Sequence, residues 1–252
     1  MHPSADIVRS VKMFVAEWPD ARAAWQVSDP RLHAVTPAEP VDRLIESMPT
    51  AFGALVRAIL HQQVSTASGR AIVRRFAEAC EGTVEPERVL RLADEDLLGA
   101  GLSRGKTRYV RALAEAAAVG ALDRIEGEPE EEIVRRLVVL PGIGVWTVRM
   151  FLIFHLGRPD VFSGHDLGLR EGVQILDEMA EPPTPEAAEA RAEVWRPYRS
   201  VAAVNLWDLV RRTRESRRRF VPSAAARDFR ARDEPQHPIV AKPNSEPTRL
   251  SP

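Results

Sequence analysis

The segment Leu140-Pro-Gly-Ile-Gly-Val-Trp-Thr147 sets a proline and two glycines, two residues apart, between stretches that read as helices. Such a turn can take positive φ at glycine. The amides of the turn and of the following helix's first turn lack helical acceptors. Gly142 and Gly144 can therefore line an anion-binding concavity, aided by the helix dipole. A phosphate fits that description, and so does an ordinary helical hairpin whose glycines serve packing alone. A carboxylate, Asp166, follows twenty residues after Trp146. Ser163-Gly-His-Asp166 fits a capping box ahead of the helical stretch 167–176, at a helix N-terminus that favours negative charge. Asp160 is the nearest other carboxylate and reads as a loop or cap residue.

The elements that must position these residues are helical. Apolar residues recur with period 3.6 rather than 2, which predicts an all-α chain. Phe52, Leu55, Val56, Ile59 and Leu60 form one such stripe. Ser65 or Thr66 can cap a helix running toward Cys80, Asp94 starts a short one, and Ser103 caps the next. Pro129 is placed as the first residue of a helix, and Thr184-Pro185 reads as an N-cap and N1 pair. The hairpin occupies 140–146, a helix follows from Val145 to Leu156, and a last long one runs from Pro197 to about Arg214. From 221 to 252 the pattern stops in a stretch with six prolines, which reads as a disordered tail behind a domain spanning 1–220.

Composition narrows the function classes. The chain has 252 residues, 44% apolar and 28% charged, with one cysteine. One cysteine excludes an internal disulfide framework, a cysteine-based zinc site and a four-cysteine iron–sulfur cluster. No apolar run approaches the ~20 residues of a membrane span, and the N-terminus lacks a secretory core, so a cytoplasmic protein is expected. The net charge of −1 is an average: residues 211–252 carry +6 and the rest −7. Of 35 basic residues 32 are arginine, a planar, bidentate phosphate binder. The Arg211–Arg219 cluster reads first as a solvated face.

The segment 140–147 matches the helix-hairpin-helix signature. With Asp160-Val-Phe-Ser-Gly-His-Asp-Leu-Gly-Leu-Arg170 it resembles the helix-hairpin-helix, Gly/Pro-Asp (HhH-GPD) superfamily of DNA glycosylases. Ala58-Ile-Leu-His-Gln-Gln-Val-Ser65, Gly101-Leu-Ser-Arg-Gly-Lys-Thr107 and Trp195-Arg-Pro-Tyr-Arg-Ser200 are similar to its 3-methyladenine DNA glycosylase II branch. The likeness runs from about residue 28 to 214. It implies two helical lobes with a cleft between them, in which the N-terminal segment can pack with the C-terminal helices.

The resemblance assigns roles. Asp166 corresponds to the catalytic aspartate, which stabilises the oxocarbenium-like sugar as the N-glycosidic bond breaks. Trp146 stands where strand-nicking relatives carry a Schiff-base lysine, so hydrolysis without lyase activity is expected. Lys106 is the other amine in view and reads as part of a charged helix face. Trp146, with Tyr198 and Met150, would wall a base pocket. Purines alkylated on ring nitrogens are cationic and stack on an indole face. Trp195 and Trp207 read as core, and His165 receives no role. Gln62 and Gln63 are candidates for the side chain that fills the void left by a flipped base. Gly142, Gly144, Arg104, Lys106 and Arg170 are candidate phosphate contacts. A monovalent cation at the Leu140 and Ile143 carbonyls is implied by the resemblance alone.

The expected protein is a monofunctional glycosylase of alkylated purines in base excision repair, a monomer acting without cofactor or membrane on double-stranded DNA with damaged bases. The alternatives are the same fold acting on hypoxanthine, uracil or 1-methyladenine, and a module that binds damaged DNA without catalysis.

Overall fold

The computed structural model describes residues 8–40 and 50–220. The expected tail, 221–252, lies outside them. Regular structure among the described residues is helical throughout. The α-helices are α1 (Val8–Ser28), α2 (Pro30–Val35), α3 (Ala51–His61), α4 (Thr66–Ala79), α5 (Pro86–Arg91), α6 (Asp94–Gly99), α7 (Arg104–Ala118), α8 (Glu130–Leu137), α9 (Val145–Phe154), α10 (Leu167–Leu176), α11 (Pro185–Ala192) and α12 (Arg199–Phe220). By packing, the chain divides into Met1–Arg211 and Arg212–Pro252. All candidate site residues fall in the first unit.

Within that unit two groups of helices separate. In the middle of the chain α3 packs on α4, α7 and α9, α5 and α6 pack on α7, and α8 packs on α9. At the two ends α1 packs on α2, α1 and α11 pack on a 3-10 turn at Glu193–Trp195, and α10 packs on α11. The end group is thus discontinuous in sequence. One apolar core runs through both groups.

Most predicted helix starts are found. Ser65, Ser103 and Thr184 each accept from an amide three residues on, which satisfies donors the helix leaves open. Pro129 caps α8 rather than opening it, and α12 starts two residues after Pro197. α1 lies outside the period-3.6 stretches singled out above, and it contains Pro19. Its signal was nonetheless present, since Phe14, Trp18, Ala21 and Trp25 recur at four, three and four residues and are at most 1% exposed. Burying three aromatic rings of this size contributes on the order of 2 kcal/mol each.

Buried Asp29 ties the chain ends together. Its Oδ2 accepts from Arg191 Nη2 at 2.6 Å and Trp195 Nε1 at 2.7 Å, and its Oδ1 from the Leu32 amide at 3.1 Å. Arg191 also pairs with Asp177 and lies over the Trp195 ring, 4.9 Å from its centroid. Burial alone would raise the Asp29 carboxyl, but the donors of Trp195, Arg191 and Leu32 outweigh it and hold it below its ordinary value. The stabilisation is therefore complete above that ordinary value, 3.8, and is lost as pH falls through it toward the folded one. Asp29→Asn is expected to cost about 3 kcal/mol at neutral pH. The difference from wild type should shrink steadily below about pH 4 in urea melts.

Candidate active site

Asp166 is the N-cap of α10, and its own Oδ1 accepts from the Leu169 amide at 2.8 Å. The expected capping box is not formed, because the Ser163 hydroxyl is buried without a hydrogen-bond partner and only its carbonyl reaches the Asp166 amide, at 2.9 Å. Two indoles complete the environment of the carboxylate. Trp146 Nε1 donates to Oδ2 at 2.7 Å and Trp207 Nε1 donates to Oδ1 at 2.9 Å. A carboxylate oxygen has two lone pairs, so Oδ1 is filled and Oδ2 keeps one for an incoming group.

Three elements converge here: α9 brings Trp146, the loop before α10 brings Asp166, and α12 brings Trp207. Trp207 corrects the sequence reading, which placed it in the core. It stacks on Phe154, with centroids 5.4 Å apart, and so spends one face on packing while its edge serves Asp166. A lone tryptophan in a helix carries no signal for such a role. Gly168 is what admits it, since a Cβ there would lie 3.0 Å from Trp207 Cδ1 and 3.1 Å from Asp166 Oδ1. Trp195 does belong to the core, bonded to Asp29. Met150 is buried on α9. Tyr198 is half-buried against the core, its amide bonded to the Trp195 carbonyl.

The hairpin forms as predicted. Gly142 has φ +79°, and Gly144 is the N-cap of α9. The Ile143 amide closes the turn on the Leu140 carbonyl at 3.1 Å. Among the described residues the Gly142 and Gly144 amides have no acceptor, which leaves them for a ligand. A Cβ on Gly142 would lie 2.2 Å from Tyr109 Cγ. Gly142→Ala combines that overlap with a strained φ. It is expected to lower duplex affinity at least tenfold and stability by about 3 kcal/mol, read by fluorescence anisotropy and thermal melting.

A cavity of about 660 Å³ lies between the hairpin, the α3–α4 turn and the start of α7, with Gln62, Gln63, Lys106 and Tyr109 among its walls. The two glutamines differ sharply. Gln63 is exposed with φ +54°, presented outward on the turn. Gln62 is half-buried, and its Nε2 donates to the Gly142 carbonyl at 2.8 Å and the Thr147 hydroxyl at 3.0 Å. That removes its amide N–H groups from the role of duplex wedge and makes it a tie between turn and hairpin. Lys106 is not simply a charged face. Its ammonium donates to the Leu60 carbonyl at 2.8 Å, and burial lowers its pKa. Arg104 is exposed on the first turn of α7. Arg170 instead turns to the Pro183 carbonyl at 2.6 Å and braces the loop ahead of α11. Asp160 pairs with Arg196 and Arg199, consistent with a loop anchor.

Other chemistries find little support. The one cysteine, Cys80, is buried, and burial pushes its thiol up to about 11, where it is no nucleophile near neutral pH. Among the described residues no cluster of His, Cys, Asp or Glu could hold a metal ion, and no helix is long and apolar enough to cross a membrane.

An all-helical unit with open hairpin amides at the head of the helix whose Trp146 donates to Asp166 defines a helix-hairpin-helix protein. Residues 56–197 match the family described as HhH-GPD superfamily base excision DNA repair protein, and the chain belongs to it. It is 33% identical over 158 residues to DNA-3-methyladenine glycosylase 1 of Schizosaccharomyces pombe, covering 61% of this chain and 69% of that one. Among solved structures it is similar to the S. pombe 3-methyladenine DNA glycosylase in complex with abasic DNA. The TM-score is 0.69 at 29% identity, over 75% of this chain and 95% of that one. It is also similar to a DNA-3-methyladenine glycosidase from Bacillus halodurans, with TM-score 0.62 at 31% identity, over 76% and 89% of the two chains.

Proposed function

We propose that this protein is a monofunctional DNA glycosylase that excises purines alkylated on ring nitrogens, with Asp166 as the catalytic carboxylate. The observation that carries this reading is the Trp146–Asp166 pair: the indole edge is committed to Oδ2 at 2.7 Å, so a cationic base meets the ring by its face. Hairpin amides and exposed Gln63 supply duplex contacts, the phosphate at Gly142 and Gly144 and the vacated base position at Gln63. The flipped 3-methyladenine or 7-methylguanine stacks on Trp146. Its positive charge makes it a good leaving group, so no general acid is needed. As the C1′–N bond breaks, both electrons leave with the base, and the sugar becomes an oxocarbenium ion facing the Asp166 anion. Water then adds at C1′ and releases a proton.

Lyase chemistry needs an amine at C1′. Trp146 takes the place of that amine, and the Lys106 ammonium is engaged by Leu60 O. A monovalent cation at the Leu140 and Ile143 carbonyls is compatible with the turn, since Leu140 spends one lone pair on the Ile143 amide. No step of this chemistry runs through it.

The test is a duplex panel carrying 3-methyladenine, 7-methylguanine, 1-methyladenine, hypoxanthine and uracil, with borohydride trapping in parallel. Release of the cationic purines without a trapped adduct is expected. Preference for uracil or hypoxanthine would sink the substrate assignment, and a covalent adduct the monofunctional one.

A further inference from the structure

The loop that delivers Asp166 has no helix of its own between Pro159 and Asp166. Its first half is anchored on α12, where the Pro159 carbonyl accepts from the Ser200 amide at 2.9 Å and the Asp160 carbonyl from Arg199 Nη2 at 2.8 Å, while next to Asp166 the one backbone tie to another element among the described residues is at Gly164. The Val161 amide bonds Ser200 Oγ at 3.0 Å, and the Gly164 amide bonds Glu189 Oε1 at 2.8 Å. Glu189 stands on α11, an element outside the Asp166–Trp146–Trp207 group. The same Oε1 receives Nη1 of Arg149, which lies on α9 three residues after Trp146. One carboxylate oxygen therefore bridges the helix that carries the indole and the loop that carries the aspartate. The fit is close on the loop side as well: a Cβ on Gly164 would lie 2.2 Å from the Pro185 carbonyl and 2.8 Å from Glu189 Cγ. The start of α11 is pressed flat against the Gly164 peptide, two residues before Asp166.

We propose that Glu189 is a positioning residue for base excision, fixing the Gly164 peptide against Arg149 and so holding Asp166 in register with Trp146. The proposal rests on the reading of Asp166 as the catalytic carboxylate. Physical scale separates this role from a structural one. Glu189 and Arg149 have side chains 32% and 28% exposed, and an ion pair open to solvent to that degree contributes little to stability. The reaction is far more sensitive, because a reacting group misplaced by about 1 Å can cost on the order of 100-fold in rate. The glutamine analogue keeps an oxygen that accepts from both donors, although without charge the bonds are weaker. Alanine loses both bonds.

The experiment measures single-turnover release of 3-methyladenine at saturating enzyme, with duplex affinity and thermal midpoint alongside. Glu189→Ala should lose roughly 100-fold in rate, with undamaged-duplex affinity within about twofold and the midpoint lowered by several degrees at most, the cost of leaving the buried Gly164 amide without its acceptor. Glu189→Gln should recover most of that loss. In an Asp166→Asn background, Glu189→Ala should cost little further, since groups acting as a unit are strongly non-additive. A wild-type rate for Glu189→Ala would overturn the proposal. So would its full loss reappearing on top of Asp166→Asn, which would mean that Glu189 acts on something other than the aspartate. An Asp166→Asn protein that excises at the wild-type rate would instead remove the Asp166 reading, a result distinct from either.

Discussion

Asp166→Asn is expected to reduce single-turnover base release about 10³-fold while leaving affinity for undamaged duplex within about twofold. Asparagine keeps the shape of the side chain and its Oδ1 can still accept the Leu169 amide, so α10 remains capped. What disappears is the negative charge opposite the developing oxocarbenium ion, together with the Oδ2 acceptor that anchors Trp146, since the amide nitrogen takes that side when Oδ1 keeps the Leu169 and Trp207 donors. The loss therefore belongs to the transition state and appears in rate rather than in binding. Gel-based excision assays and anisotropy titrations on the same preparation check both halves. Equal losses in rate and affinity would place Asp166 in DNA binding and favour a non-catalytic module.

Trp146 is the second position where one substitution should remove much of the activity. Trp146→Ala deletes the stacking face and the donor at 2.7 Å from Asp166 Oδ2. A desolvated cation–π contact is worth about 2 kcal/mol, or roughly 30-fold, and misplacement of the carboxylate adds to it. A loss of more than 100-fold on 3-methyladenine is expected. Trp146→Phe separates the two contributions, because phenylalanine keeps a ring face and lacks the indole N–H. It should lose about tenfold, mostly in kcat, with ground-state binding of the damaged duplex nearly retained. If Trp146→Phe lost as much as Trp146→Ala, the N–H anchor would account for the whole effect and stacking for none.

Much of this protein was legible in its sequence. Helix starts follow from local chemistry: Ser65, Ser103 and Thr184 cap because a side-chain oxygen three residues upstream satisfies an open amide. The hairpin follows for the same reason, since only glycine takes φ +79° at position 142 without cost. Asp166 and Trp146 could be singled out because their motifs are contiguous stretches of chain, and a contiguous motif survives without knowledge of the fold.

Tertiary structure alone decided the rest, and the common cause is that hydrogen-bond partners across elements leave no mark in local sequence. Trp207 reads as one more core aromatic until α12 brings its indole N–H to Asp166, forty-one residues away. Gln62 and Gln63 are identical in type and adjacent in sequence, yet one turns into the hairpin and the other into solvent, because backbone direction at a helix end separates neighbouring side chains. Arg170 reads as a phosphate ligand until the loop at Pro183 takes its guanidinium. Glu189 had no local signal at all, since its meaning lies in an oxygen shared between Arg149 and Gly164. Local sequence settles which chemistry is at hand and where the chain turns. Packing determined which donors met which acceptors, because burial obliges polar groups to find partners wherever the fold supplies them.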